Sequence, residues 1–280
     1  MYRVEKVLNH NVMIVVNEED MKEYLMMGKG VGFGKKVAER MEEPANVQIY
    51  SLIEAGKEDT KSASAKEINP IYLEAANLLL ELAKKRLGKV DPGAMIPLAN
   101  HMEFAVKRIK EQGEISNPLT QDIQILFHGE YKVAEEIIPF LQKETGVEIS
   151  ESEVGYIALH IHAAITEEKV SSSLQVAECV RECISMIEKE IGCQIPVTTL
   201  SYNRLMNHVR YMVFRILQKE EIKISMNDYM EIRFKRSYTI AENICKEMEK
   251  IMKCKPYDNE IGYLAIHIQR CREEIEEEKR

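Results

Sequence analysis

Glu153-Val154-Gly155-Tyr156-Ile157-Ala158-Leu159-His160-Ile161-His162 returns later in the chain as Glu260-Ile261-Gly262-Tyr263-Leu264-Ala265-Ile266-His267-Ile268-Gln269, a shift of 107 positions (267 against 160). The same shift carries Leu98 onto Leu205, Asn100 onto Asn207, His101 onto His208 and Arg108 onto Arg215. It also carries Phe127 onto Phe234, Tyr131 onto Tyr238, Ala134 onto Ala241 and Glu135 onto Glu242. No gap is needed anywhere in that span. One register held over so many identities is an internal repeat, so the chain carries two homologous domains, placed at 65–170 and 171–280. Helical spacing dominates both, and the Glu, Lys, Leu, Ile and Met content favours helix.

Working back from the repeat, Asn69-Pro70 is a helix start, with Asn as the cap and Pro at the first helical position. The helix is expected over Ile71 to Arg86, ending at Gly88. Breaks follow at Asp91-Pro92-Gly93, Gly113 to Pro118, Thr145-Gly146, Gly192 to Pro196 and Cys254 to Asn259. Glu54 to Ile68 and Thr166 to Ser173 are polar and are taken as linkers.

Residues 1–56 differ in kind. Arg3 to Leu8 and Val12 to Val16 are short β-branched runs separated by Asn9-His10-Asn11, which is turn chemistry for a hairpin. Glu23 to Met27 and Val47 to Leu52 are two further strands, and Gly28, Gly30, Gly32 and Gly34 punctuate the segment between them. Four short strands make a marginal core, which predicts dimerisation. The fold class is therefore multidomain: a small antiparallel β-sheet domain followed by two homologous all-α helical bundles.

Composition sets limits on function. The 280 residues carry a net charge of -8, and the first 55 contain 7 basic against 9 acidic residues. No basic footprint of the usual kind advertises nucleic-acid binding, so any such claim rests on particular residues. The N-terminus has no signal-peptide pattern and no stretch is long and apolar enough to span a bilayer. All six cysteines lie between 179 and 271 in no zinc spacing, and are read as reduced thiols of a cytoplasmic protein.

Four of the seven histidines obey the repeat: His101 with His208, and His160 with His267. On residues alone three readings compete. The first is packing of hydrogen-bonded core histidines. The second is metal ligation, which the two-residue separation of His160 and His162 disfavours, because such neighbours point to nearly opposite sides of a helix. The third is phosphorylation. A neutral imidazole nitrogen is a nucleophile near pH 7, and the product adds about two negative charges at one point. Arg108 and Arg215 follow the first histidine of each pair by seven residues, about two turns along one helix face.

Two N-terminal segments, Glu5-Lys6-Val7-Leu8-Asn9-His10-Asn11-Val12 and Met27-Gly28-Lys29-Gly30-Val31-Gly32-Phe33-Gly34-Lys35-Lys36, resemble the signature segments of the co-antiterminator RNA-binding domain. The repeats resemble PTS regulation domains, where PTS is the sugar phosphotransferase system. The resemblance covers essentially the whole chain, in the domain order of the BglG/SacY/LicT family of transcription antiterminators. It implies a homodimer whose N-terminal sheets bind a leader-mRNA hairpin and prevent an overlapping terminator from forming. Lys6, Asn9, Asn11, Gly28, Lys29, Gly30 and Phe33 are the RNA-binding candidates: amides for base edges, glycines for close backbone approach, lysines for phosphates, and Phe33 for stacking or for the core.

The resemblance also implies phosphorylation of His101, His160, His208 and His267 by the phosphocarrier HPr and a sugar-specific PTS enzyme II. In the family, the enzyme II acts on the first regulation domain to inactivate, and HPr acts on the second to activate. No catalytic residue, metal or cofactor is implied. Asn100 stands where many members have Asp before the first histidine; it is expected to keep a hydrogen bond to the ring and to lose the charge. Gly32-Phe33-Gly34 is closer to the glucose-type members. The alternatives are a histidine phosphorelay protein and a PTS-controlled DNA-binding activator. The second requires an N-terminal helix-turn-helix, where short strands are read instead.

Overall fold

The computed structural model describes residues 1–52, 66–111, 113, 117–167 and 169–278. Most of the linker expected over Glu54 to Ile68 lies outside the described residues.

Residues 1–52 form an antiparallel sheet of β1 (Tyr2–Val7), β2 (Val12–Asn17), β3 (Glu23–Met27), β4 (Arg40–Met41) and β5 (Gln48–Ser51), in the order β4-β1-β2-β3-β5. Three of the four anticipated strands extend close to their expected limits. Val47 to Leu52 shortens to β5, and β4 is additional. β4 pairs only Arg40 with Arg3 and Met41 with Tyr2, too short a run to show any alternation. The β1–β2 register slips between Val4 and Lys6, a bulge that bends β1.

One face of the sheet packs Val4, Met13, Val15, Met26 and Val31 into a core. Strand alternation sends Val12, Ile14 and Val16 to the other face, and these are buried as well. What covers that face includes α1 (Pro70–Leu87), which packs on β2. The sheet is thus fastened to the first helix of the first repeat.

That helix begins as expected: the Asn69 side-chain oxygen accepts from the Ile71 amide at 3.1 Å, with Pro70 at the first position. After a 3-10 turn at Pro92–Ala94 come α2 (Met95–Lys110), α3 (Thr120–Leu126), α4 (His128–Glu135), α5 (Ile138–Thr145) and α6 (Glu151–Thr166). The second repeat contains α7 (Val170–Ile191), α8 (Leu200–Gln218), α9 (Asn227–Arg233), α10 (Lys235–Met252) and α11 (Asn259–Glu278). The expected linker Thr166 to Ser173 is therefore shorter than read, because helix resumes at Val170 through the serine run. Compact packing divides the chain between Val170 and Ser171.

The repeat register survives in three dimensions. α9 and α10 begin 107 residues after α3 and α4 (227 against 120, 235 against 128), and α10 ends 107 after α5 (252 against 145). What is one helix in the second repeat is two in the first. Pro139 accounts for the difference: it has no amide hydrogen to continue the ladder and its ring clashes with the preceding turn. The matching position in α10 is Lys246.

The six cysteines are free. Burial pushes the Cys245 and Cys271 thiols up to about 12, so neither supplies a thiolate near neutrality.

Candidate functional site

In the first repeat His101 on α2 faces His160 on α6, with ring centroids 4.8 Å apart. Two turns along the same faces, Arg108 of α2 donates to Glu153 of α6. The partners are taken in opposite chain order, 101 with 160 and 108 with 153, so the two helices run antiparallel. Glu153 is only 1% exposed, and its second oxygen lies 3.5 Å from His101 Nε2. Burial alone raises this carboxyl; the nearby His101 ring and the hydrogen bond and charge of Arg108 outweigh it and hold the group below its ordinary value. Tyr156, one turn before His160, completes the wall at 5.9 Å from His101.

The second repeat builds the same groove from α8 and α11. His208 and His267 stack at 4.7 Å, with Tyr263 6.4 Å from His208. Glu260 is fully buried, and here Arg215 takes both oxygens, from Nε at 2.6 Å and Nη2 at 2.8 Å. This is the bidentate fork geometry of arginine and carboxylate.

Desolvation keeps His160, His208 and His267 neutral. It lowers His160 to about 3, helped by His101. It lowers His208 to about 3 with His267 and Arg215 contributing, and His267 to about 4 with Arg270 and Arg204 contributing. A neutral ring has a nitrogen lone pair available to a phosphorus centre. His162 faces elsewhere: its Nδ1 lies 2.8 Å from Glu130, and its ring is 4.5 Å from Phe127. Among the described residues no group of three or more His, Cys, Asp or Glu side chains is arranged to hold a metal ion.

The second cluster is at the end of the sheet. Asn9 Oδ1 accepts from the Asn11 amide at 2.8 Å, and Asn11 Oδ1 accepts from the Gly30 amide at 2.9 Å. Gly32 donates to the His10 carbonyl at 2.9 Å. A Cβ on Gly32 would fall 2.3 Å from the Asn9 carbonyl oxygen, so residue 32 has to be glycine for the loop to lie on the hairpin turn. Gly30 adopts φ +72° with open space around it. Phe33 is 71% exposed and meets the His10 ring edge-on at 5.3 Å, so it belongs to the surface and not to the core. Lys6 and Lys29 are exposed. The structure thus brings together the turn residues, the glycine loop and Phe33.

Residues 2–59 match the family described as CAT RNA binding domain, and residues 77–164 and 181–271 each match the PRD domain. The chain belongs to the CAT–PRD family. Relatives span nearly its whole length. An antiterminator of the glcA/glcB genes from Staphylococcus carnosus is 29% identical, covering 95% of this chain and 94% of its own. The transcription antiterminator LicT of Bacillus subtilis is 27% identical, covering 96% and 98%. A β-glucoside operon antiterminator from Dickeya chrysanthemi is 25% identical, covering 99% of both. A crystal structure of GlcT CAT-PRDI is 30% identical, covers 59% of this chain and 98% of its own, and has a TM-score of 0.48.

Within this CAT–PRD frame one expectation differs from the structure. Asn100 does not keep a hydrogen bond to the ring: its side-chain oxygen is buried without a partner, and the group facing His101 is Glu153. Arg108 and Arg215 share the histidine groove as expected, but each is already committed to a buried glutamate. Glu153 and Glu260 stand in the quoted repeat, at corresponding positions, but glutamate is so seldom fully buried that sequence alone does not mark them. A charged residue recurring in register within an otherwise apolar segment was the available signal.

Proposed function

We propose that this chain is an RNA-binding transcription antiterminator whose activity is set by phosphoryl groups on His101 and His160 in the first PRD and on His208 and His267 in the second. The observation that carries this reading is a pair of imidazoles packed face by face within 5 Å beside an arginine bound to a buried glutamate, present twice, in a chain whose N-terminus is an RNA-binding domain. A ring nitrogen attacks the phosphorus of a phosphohistidine donor, the new P–N bond forms as the donor's breaks, and the donor histidine leaves as a neutral ring. The donors are HPr and a sugar-specific PTS enzyme II; this chain accepts and performs no catalysis of its own. A dianionic group cannot be added between rings less than 5 Å apart without separating them, which makes each pair a two-state element.

The functional limits are 1–56, 65–170 and 171–280. Asn9 and Asn11 read acceptors, Gly28 and Gly30 admit the backbone, Lys6 and Lys29 meet phosphates, and Phe33 stacks on a base of a leader-mRNA hairpin. The small sheet acts as a homodimer in the cytoplasm. Among the described residues no helix is long and apolar enough to cross a membrane.

Labelled phosphoryl transfer from HPr and from an enzyme II tests the acceptors on the full chain. His101→Ala with His160→Ala is expected to leave label on the second PRD only, His208→Ala with His267→Ala on the first only, and the fourfold variant takes none. Undiminished labelling of the fourfold variant overturns the assignment. Phe33→Ala is expected to weaken binding of an RNA hairpin by about tenfold, the scale of one lost base stack, while thermal unfolding is unchanged because the ring is exposed.

A further inference from the structure

The two amides assigned to RNA are already in use. Asn9 Nδ2 donates to Glu74 Oε1 at 2.6 Å, and Asn11 Nδ2 donates to Glu74 Oε2 at 3.1 Å. The orientation of both amides is decided by their other ends, because each Oδ1 accepts from a backbone N–H, of Asn11 and of Gly30. Only the NH2 groups face outward, and both meet the same carboxylate.

Glu74 lies on α1, the first helix after the RNA-binding domain. One turn further on the same face, Asn77 accepts from the Tyr50 hydroxyl at 2.7 Å. Lys6 Nζ donates to the Lys66 carbonyl at 3.1 Å, just ahead of that helix. Beside these contacts is a cavity of about 480 Å³ bordered by Asn9, His10, Asn11, Glu74, Phe140 and Glu144.

We propose that Glu74 occupies the acceptor-reading site of the RNA-binding loop, so that the first helix of the first PRD and the RNA compete for the same two amides. This rests on the assignment of Asn9 and Asn11 to RNA. A carboxylate offers two acceptor oxygens and negative charge, as a phosphate does, and two oxygens where a base edge offers carbonyls. While it is seated, its charge and that of Glu144 also repel the RNA backbone. RNA binding by this face requires α1 to withdraw from the loop. Because α1 packs on α2, which carries His101, the withdrawal is mechanically joined to the first imidazole pair.

The test uses the full chain and a pool of RNA hairpins with randomised loops and bulges, selected on Glu74→Ala. Hairpins that enrich are then titrated against the unaltered chain, Glu74→Ala, Glu74→Gln and Glu144→Gln. Release of two charge-assisted hydrogen bonds predicts that Glu74→Ala binds about ten- to a hundredfold tighter. Glu74→Gln, which keeps one acceptor, falls between, and Glu144→Gln stays near the unaltered chain. In the absence of RNA, the side-chain amide NMR signals of Asn9 and Asn11 shift in Glu74→Ala. Equal or weaker binding by Glu74→Ala overturns the competition, as does a gain from Glu144→Gln as large as from Glu74→Ala. A pool that fails to enrich on Glu74→Ala instead overturns the RNA assignment of the loop, and the competition with it.

Discussion

In the first repeat the buried Glu153 gives one oxygen to Arg108 and leaves the other 3.5 Å from His101 Nε2; in the second, Arg215 takes both oxygens of Glu260. The four residue types and their spacing are the same, but the first groove couples its ion pair to an imidazole, while the second closes its ion pair on itself. Duplication therefore preserved the parts and not their wiring. A charge added to His101 acts on a carboxylate that also holds Arg108. A charge added to His208 meets a ring governed by desolvation and by nearby positive charge.

The largest separation between the repeats is expected from removing the arginines. Arg215→Ala leaves Glu260 as a buried, unpaired charge and is expected to destabilise the second unit by about 3–5 kcal/mol. Arg108→Ala is expected to cost less, because His101 Nε2 already lies 3.5 Å from the other Glu153 oxygen and leaves that carboxylate a neighbouring polar group. Denaturant unfolding of both variants measures the gap; equal losses would show that the His101 contact carries no weight.

A smaller effect distinguishes the glycines at matching positions. A Cβ on Gly262 would sit 2.7 Å from the Asn227 side-chain oxygen and 2.8 Å from two backbone atoms, whereas on Gly155 it would find only Ile123 methyl groups at 3.8 Å. Gly262→Ala is expected to lose about 1–3 kcal/mol through overpacking. Gly155→Ala is expected to be neutral or to gain up to about 1 kcal/mol from helix propensity. A stability loss at Gly155 as large as that at Gly262 would break the comparison.

The gentlest test is pH. The unfolded imidazoles titrate near 6.5, and in the folded chain His160 and His208 fall to about 3 and His267 to about 4. The unfolded chain therefore binds more protons across that interval. The stability contributed is present above pH 6.5 and is lost as pH falls toward 3 for the first two and toward 4 for the third. Replacing His208 with Phe is expected to flatten the decline in thermal stability between pH 4 and 3 more than replacing His267 does, while above pH 4 the two replacements act alike. Parallel declines would show that the two rings are equally buried in solution.

Much of this architecture was legible because repeats and caps are local or self-referential signals. Asn69-Pro70 started its helix as read, and a shift of 107 residues predicted the second groove from the first. β4 escaped notice because two residues have no period. The glutamates escaped because burial of a charge is decided by a partner 45 residues away (Arg108 to Glu153). Phe33 was undecided between core and surface because an aromatic flanked by glycines is compatible with both; only the loop's path against His10 puts it outside. Glu74 gave no sign at all, since a glutamate on a helix reads as solvated until another domain is laid on it.

Gly32 has a consequence for how binding specificity can be exchanged. With its Cα pressed against the Asn9 carbonyl and its amide on His10, the glycine loop and the hairpin turn behave as one cassette. Grafting residues 28–34 from a relative without residues 8–11 would place a foreign loop on a mismatched seat. Transplanting both together keeps the seat intact and carries the recognition surface across as a unit.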